Sequence, residues 1–386
     1  MKIGLMGFEF SSANKGCEAL SYSFLEILND IFDGTNQSIE VYNFTEFNLG
    51  YIPSMYKLFK FYRVVPTLRD VKFSFLHTLK QCDIVFDITM GDSFSDIYSL
   101  GYYNTLIRKK MFATLLSNNY VLLPQTYGPF NKNESSKKAM RVLKRTTKVY
   151  CRDRLSQQLL EDKFNIHNSK LVTDIAFFLP YDKSMYKFET NKTKLGINIS
   201  GLLYKGGFES INQFGLSMNY KEFINQIIEY YVNKNNEYEI YLIPHVIDLS
   251  ENSYDDDYKI SQYLKEKYSS VNIAPVFENP IQAKSFISNM DVFIGSRMHS
   301  TIAAFSSGAV TIPVSYSRKF EGLFNSFSYQ YVINGREEST TSAFNKVVEY
   351  VEKKDNLSNV QKSSREIIDS LSNEFKNSIK DILFNI

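Results

Sequence analysis

Residues 291–314, DVFIGSRMHSTIAAFSSGAVTIPV, decide the fold class of this chain. A short apolar run, Asp291–Ile294, leads through Gly295 into a helical pattern, and a second apolar run follows at Val310–Val314. Short buried strands that alternate with helices are typical of a parallel sheet covered by helices on both faces. The stretch therefore predicts one strand–helix–strand unit of a doubly wound α/β domain.

The same alternation extends over most of the chain on both sides of this unit. It pauses in a polar stretch after Pro180, where we predict an interdomain linker at 184–193. We predict two Rossmann-like doubly wound domains that face a cleft, an acceptor-side domain at 1–183 and a donor-side domain at 194–340. C-terminal helices at 341–386 are predicted to pack back on the first domain. Ligands of such sheets bind beyond the carboxyl ends of the strands, so the turns after the strands are the places to search.

Composition excludes several classes of protein. The chain has 386 residues with 44 Lys and Arg against 42 Asp and Glu, and this near balance does not favour nucleic-acid binding. Three cysteines without ligand spacing indicate reduced thiols and a cytoplasmic location. No segment approaches the roughly 20 apolar residues that span a bilayer, and the first residues resemble a buried strand more than a signal peptide.

The strongest candidate site follows the strand at 291–294. Ser296, Arg297 and His299 stand at the start of the predicted helix, where the helix dipole favours an anion. Lys319 begins the helical turn after the next strand. A single histidine at a helix start is more often a cap or a core residue, but this combination of cations in one crevice favours a site for a phosphate or carboxylate.

Polar residues follow other predicted strands as well. Asn14 and Gly16 lie in the turn after the first strand, which is equally consistent with an ordinary turn and with a ligand site. Gln125 and His245 each follow a later strand and are candidates to hold the hydroxyl groups of a sugar.

Asp92 and Ser93 follow the strand at Ile84–Phe86 and have two interpretations. They can orient or deprotonate an acceptor hydroxyl group, or they can cap a helix that begins near Phe94.

Arg152 also allows two interpretations, an ion pair with Asp153 or Asp174 and a role as a bidentate anion ligand. No P-loop, dinucleotide fingerprint or metal-ligand spacing is present, so we predict neither a cofactor nor a metal.

The stretch 51–65 alternates cations with aromatic residues. It predicts either a surface patch that meets anionic lipids at the inner face of the membrane or an insertion packed on the first domain. The residues concerned are Lys57, Lys60, Arg63, Tyr56, Phe59, Phe61 and Tyr62.

Six segments together resemble the polysaccharide pyruvyl transferase family over about residues 1–330. They are NKGCEAL at 14–20, GDSFSDIY at 91–98, LPQTYGPF at 123–130, CRD at 151–153, TDIAF at 173–177 and GSRMHSTIAA at 295–304. The resemblance implies a GT-B-like fold, phosphoenolpyruvate as donor co-substrate and a pair of sugar hydroxyl groups as acceptor, with a lipid-linked sugar as one form of it.

The same resemblance implies which residues bind the donor. Arg152, Arg297, His299 and Lys319 match the family's basic positions, although Arg154 is an alternative to Arg152. His299 is then the proton donor to the enolpyruvyl group, because histidine exchanges protons near neutral pH.

An N-domain carboxylate such as Asp92 is then the base that takes the hydroxyl protons. A nucleotide-sugar glycosyltransferase on the same scaffold is the alternative function, and a glycan-binding sensor is a third.

Overall fold

The computed structural model describes residues 1–46, 56–66, 74–97, 99–207, 212–248, 250 and 253–386, apart from the side chains of Arg318 and Lys319. Its contacts divide the chain into two units. The first comprises Met1–Ser12, Leu20–Phe178 and Asp369–Ile386, and the second comprises Ala13–Ala19 and Leu179–Ile368.

The first unit is built on a 7-stranded parallel sheet with the order β3-β2-β1-β4-β5-β6-β7. Its strands are β1 Lys2–Met6, β2 Ile39–Phe44, β3 Phe59–Val64, β4 Ile84–Asp87, β5 Tyr120–Gln125, β6 Lys148–Cys151 and β7 Ser169–Leu171. The helices that follow its strands are α1 Lys15–Phe32, whose residues up to Ala19 belong to the second unit, α2 Ser74–Gln81, α3 Leu100–Leu116, α4 Asn133–Leu143 and α5 Arg154–Phe164.

The second unit repeats this order in a 6-stranded parallel sheet, β10-β9-β8-β11-β12-β13. Its strands are β8 Thr193–Asn198, β9 Tyr238–Leu242, β10 Asn272–Ile273, β11 Val292–Gly295, β12 Val310–Ser315 and β13 Ile333–Asn334. Its helices are α6 Gly201–Tyr204, α7 Tyr220–Val232, α8 Asp257–Lys267, α9 Pro280–Ile287, α10 Met298–Ser307, α11 Arg318–Ser326 and α12 Thr340–Glu352. The last helix, α13 Lys354–Phe384, contributes residues to both units.

Both faces of the second sheet are apolar, as a doubly wound sheet requires. Ile240 and Leu242 of β9 pack in one hydrophobic cluster with helix α7. Tyr241, between them, belongs to a second cluster with Phe286 of α9. Successive residues of a strand point to opposite faces, so the two clusters cover the two sides of the sheet. The predicted α/β fold with two Rossmann-like sheets is confirmed.

The boundaries of the elements differ from the prediction in several places. The helix expected near Phe94 begins instead at Leu100, and its N-cap is Ser99, whose hydroxyl oxygen accepts from the backbone N–H of Tyr102. Strand β3 was not predicted. It lies at the edge of the sheet and mixes charged and aromatic residues, so its pattern does not resemble a buried strand.

The chain also divides differently from the predicted domains. The first unit ends at Phe178, and the stretch 184–193, expected to be a linker, packs on the second unit. There Tyr186 and Phe188 both contact the ring of Phe286 edge-on. Helix α12 also lies in the second unit, against α7, and only the residues from Asp369 onward join the first unit.

Candidate functional site

The strand order of the second sheet places a topological switch between β8 and β11. From β8 the chain continues to β9 and β10 in one direction along the sheet, and from β11 it continues to β12 and β13 in the other. Doubly wound sheets bind ligands at such a switch point. Asn198 ends β8, and its side-chain oxygen accepts from the backbone N–H of Arg297 at 2.9 Å and from the hydroxyl of Ser300 at 2.9 Å. The amide of Asn198 thus fixes the turn between β11 and α10, where the sequence predicted the site.

Arg297, the N-cap of α10, is held by two carboxylates. Its Nε and Nη2 donate to Oδ1 of Asp257 at 3.2 and 2.7 Å. Its Nη1 donates to Oδ2 of Asp255 at 3.2 Å, and Nη2 donates to the other oxygen of Asp255. Burial alone would lower the pKa of Arg297, but Asp257 and Asp255 raise that pKa well above its usual range. The guanidinium is therefore permanently charged and fully paired in this structure.

Asp257 organises the ends of several chain segments around this arginine. The residue is fully buried at the first position of α8. Its Oδ1 accepts from the backbone N–H of Gly201 at 2.8 Å, and its Oδ2 accepts from those of His245 and Val246 at 3.1 and 3.0 Å. A buried carboxylate needs such partners, because each unsatisfied oxygen would cost desolvation energy. Asp257 thus holds the turn after β9 and the start of α6 against Arg297.

His245, whose backbone N–H donates to Asp257, belongs to the polar cluster around Arg297 and is 2 % exposed. Among the described residues, neither of its ring nitrogens has a hydrogen-bond partner. Burial, and after it the electrostatic effects of His299, Arg297 and Lys15, lower the pKa of His245 well below its usual range. His245 is thus a neutral imidazole that offers one donor and one acceptor in a polar cluster, which suits a ligand hydroxyl group.

The segment Ala13–Ala19 completes the cluster in the second unit. Asn14 pairs with Val246 in an antiparallel bridge, and the backbone N–H of Lys15 donates to the carbonyl of His245 at 3.0 Å. The side-chain oxygen of Asn14 accepts from the backbone N–H of Gly16 at 2.9 Å. A Cβ atom on Gly16 would lie 2.5 Å from Nδ1 of His299, so only glycine lets the imidazole take this position.

The second unit thus brings together several residues that the sequence predicted, namely Asn14, Gly16, His245, Ser296, Arg297 and His299. The hydroxyl of Ser296 is buried and accepts from the hydroxyl of Tyr220 at 2.6 Å, so its side chain supports the turn. Lys319 lies in the first turn of α11, but its side chain is outside the described part of the structure.

In the first unit, the predicted residues also follow strand ends. Asp92 is half-buried at the end of the turn after β4, and Ser93 is buried beside it. Met90 in this turn has φ of 52° and Gly91 has φ of 88°, so the chain turns sharply in a left-handed conformation. Neither Asp92 nor Ser93 caps the helix expected near Phe94, because that helix begins at Leu100 and its N-cap is Ser99.

Arg152 and Gln125 are both enclosed by protein. Arg152 is 2 % exposed, its Nη1 donates to Asp174 at 2.8 Å and its Nε donates to the hydroxyl of Thr126 at 3.0 Å. Of the two interpretations of Arg152, an ion pair with an aspartate and an anion ligand, the structure has the ion pair with Asp174. Gln125 is fully buried and donates to the backbone carbonyl of Asp87 at 3.1 Å, so its amide joins the carboxyl ends of β5 and β4. These positions favour supporting roles over direct contact with a substrate.

Several site residues were missed by the sequence reasoning. In the second unit they are Asp255, Asp257 and Asn198. In the first unit Lys110 is completely buried, donates to Asp87 at 2.7 Å and also donates to Thr89. Burial lowers the pKa of Lys110, against the opposing effect of Asp87. The run of aspartates at 255–257 could have indicated a helix start, because Asp256 is the N-cap of α8 and Asp257 is its first residue. The sequence carried no other sign of the role of Asp257.

The part of the chain that the structure describes contains neither a metal-ligand group nor a membrane-spanning helix. Among them no group of three or more His, Cys, Asp or Glu side chains is placed to hold a metal ion. Within the same part of the chain, no helix combines the length and apolar character needed to cross a bilayer.

The two Rossmann-like parallel sheets place the chain in the GT-B-like class of α/β proteins. HepE of Anabaena in complex with UDP-glucose has this fold, with a TM-score of 0.60 and 11% identity over 100% of both chains. S. aureus MnaA bound to UDP has a TM-score of 0.63 and 12% identity over 100% of this chain and 97% of its own. These likenesses show the fold alone. No curated protein sequence matches the chain.

The family follows from the sequence profile of polysaccharide pyruvyl transferases, which matches residues 14–318. The match covers most of the chain and includes both Asn14 and the turn that carries Arg297 and His299. This chain belongs to the polysaccharide pyruvyl transferase family.

Proposed function

We propose that this protein transfers the enolpyruvyl group of phosphoenolpyruvate to a sugar of a surface polysaccharide or its precursor. The product is a cyclic pyruvyl ketal, and inorganic phosphate is released. The observation that carries the proposal is the cluster of Arg297, His299 and His245 at the switch point of the second sheet, inside the segment that matches the family.

The proposed chemistry needs one proton donor and two hydroxyl nucleophiles. A proton adds to C3 of phosphoenolpyruvate, and the oxygen of the first sugar hydroxyl group forms a bond to C2 as it loses its proton. The second hydroxyl oxygen then bonds to C2, the C2–O bond to phosphate breaks, and phosphate leaves with the electron pair. One hydroxyl proton balances the proton that C3 received, and the other leaves with phosphate or the solvent.

In this proposal, Arg297 and Lys319 bind the anionic donor and His299 protonates C3. Arginine donates to planar carboxylates and phosphates at two points, which suits a donor that carries both groups. His299 stands half-buried next to Gly16 at the start of α10, where the helix dipole stabilises an anion. Asp92 is the proposed base that takes the hydroxyl protons of the acceptor.

Three measurements on one preparation test the proposal. Phosphoenolpyruvate is expected to raise the melting temperature, and phosphate release is expected with a panel of simple and lipid-linked glycosides. His299→Gln is expected to keep donor binding while turnover falls by about 10²–10⁴, the usual contribution of general acid catalysis. A folded, donor-binding variant with wild-type turnover would remove His299 from this role.

The same thermal-shift measurement separates the alternative function. The solved structures of HepE and MnaA contain UDP-glucose and UDP, so the scaffold is compatible with nucleotide ligands. Stabilisation by uridine or guanosine nucleotides, without stabilisation by phosphoenolpyruvate, would favour glycosyl transfer and reject the proposed donor.

A further inference from the structure

The two carboxylates on Arg297 differ in how firmly they are held. The side chain of Asp257 is 0% exposed and is bound by backbone N–H groups, as described above. The side chain of Asp255 is 29% exposed, and among the described residues its carboxylate bonds only to the guanidinium of Arg297. Asp257 is therefore a fixed part of the fold, whereas Asp255 can leave without breaking any other contact that the structure describes.

The charges of this group do not cancel. One guanidinium faces two carboxylates, so the group carries a formal charge of −1, although Asp257 alone would neutralise Arg297. The nearby cation Lys15 adds no net charge, because it forms an ion pair with Glu18 at 2.9 Å. An anionic substrate that approached Arg297 in this state would meet a surplus negative charge on Asp255. Its binding is compatible with this geometry only if Asp255 moves away.

The bonds to Asp255 also mark where a ligand would bind. Asp257 uses Nε and one side of Nη2, and Asp255 takes the Nη1 and Nη2 edge with its two oxygens. Two parallel bonds from this edge are the arrangement by which arginine binds a carboxylate or phosphate. The carboxylate of Asp255 thus stands where an anionic group of a ligand would form the same pair of bonds.

We propose that Asp255 is an internal competitor for the anion site of Arg297. Its carboxylate occupies the Nη1 and Nη2 edge in the empty protein, and a carboxylate or phosphate group of the substrate replaces it on binding. The identity of that substrate as phosphoenolpyruvate rests on the proposed function, whereas the competition itself does not. Asp255 thereby sets the apparent affinity, because only the fraction of molecules with an open edge can bind the anion.

The test is calorimetric titration of two probes, phosphoenolpyruvate and inorganic phosphate, into the whole chain. Asp255→Asn keeps the size of the side chain and removes the competing charge, so both anions are expected to bind about tenfold more tightly. Asp248→Asn is the matched control, because this half-buried carboxylate accepts from the backbone N–H of Ser250, whereas the carboxylates bonded to Arg297 are those of Asp255 and Asp257. It is expected to leave both affinities unchanged.

A second pair of variants shows whether the gain acts through the arginine. In an Arg297→Gln background, Asp255→Asn is expected to give no gain, since the contested edge is gone. An equal gain in that background would mean a general charge effect and would overturn the proposal. Unchanged or weaker anion binding by Asp255→Asn would also overturn the proposal. Asp255→Ser serves as a second replacement, and the melting temperatures of both variants show whether they are folded.

The two probes keep this inference separate from the proposed function. If phosphate shows the expected pattern while phosphoenolpyruvate binds no variant, the competition stands and the proposed donor is rejected. If phosphoenolpyruvate binds all variants equally, the donor stands and the competition is rejected. Absence of binding by both probes in every variant rejects the competition as well.

Discussion

Replacing Asp257 by asparagine keeps the size of this buried side chain but removes its charge and turns one acceptor oxygen into an NH2 donor. If the new NH2 group replaces Oδ2, it faces the backbone N–H groups of His245 and Val246, and if it replaces Oδ1, it faces that of Gly201. In either orientation, two donors point at each other in a site without exposure to water. Arg297 loses its buried counter-ion at the same time.

The magnitude follows from these contacts. Each buried donor without an acceptor costs about 1–3 kcal/mol, and removal of one partner of a buried ion pair costs about 3–5 kcal/mol. Because Asp255 still compensates Arg297 in part, we expect a total loss of about 3–5 kcal/mol in the free energy of unfolding. For a domain of this size, about 2–4 °C are lost per kcal/mol, so the melting temperature should fall by about 6–20 °C.

Urea denaturation and thermal melting measure this loss directly. Asp291→Asn is the control, because its carboxylate is 43% exposed and pairs with Lys194 at 3.1 Å. Exposed pairs contribute about 0–1 kcal/mol, so the control should remain within 1 kcal/mol of the wild type. A loss in Asp257→Asn no larger than that of the control would refute the role of Asp257 as the organiser of the strand ends.

Three further predictions address other parts of the molecule. Gly16→Ala places a Cβ atom 2.5 Å from Nδ1 of His299, so the imidazole must move, and turnover should fall by about tenfold or more with donor binding retained; unchanged turnover would contradict this. Burial and the charge of Arg365 lower the pKa of Lys284 from 10.5 to about 7. The unfolded chain therefore binds one more proton than the folded chain between about pH 7 and 10.5, so the stability of the wild type should rise with pH in this window. The urea midpoint of Lys284→Met should lack that rise. An equal dependence of the midpoint on pH in both proteins would contradict the lowered pKa of Lys284. If the patch at 51–65 meets the membrane, the protein should float with anionic liposomes at low salt and not with neutral ones, whereas absence from both would leave strand β3 as an ordinary sheet edge.

The fold and part of the site could be predicted because their signals are local. The run from Asp291 to Val314 contains a strand, a turn and a helix in succession, and the structure has β11, α10 and β12 there. The partners of Arg297 could not be predicted in the same way, since Asp257 and Asp255 precede it by 40 and 42 positions. Only the convergence of parallel strand ends brings these side chains together.

The wrong or missing elements have physical reasons of the same kind. Strand β3 contains the exposed residues Lys60, Tyr62 and Arg63. They are tolerated because β3 is an edge strand that pairs with one neighbour, β2. The stretch expected to be a linker is polar in composition, yet Tyr186 and Phe188 anchor it on α9. Two half-buried aromatic rings hold this largely exposed segment on the second unit, and a count of polar residues does not detect this.

The second unit is not encoded by one uninterrupted stretch of the chain, since Ala13–Ala19 belongs to it. A gene fragment for residues 179–368 would lack the partner of Val246 and leave the backbone N–H of Ile247 without the carbonyl of Ala13, which it contacts at 2.9 Å. Such a fragment should gain stability when a synthetic peptide containing residues 13–19 is added in trans. The same dependence means that an N-terminal deletion of about 20 residues would damage the polar cluster around Arg297, although most of that unit is encoded far downstream.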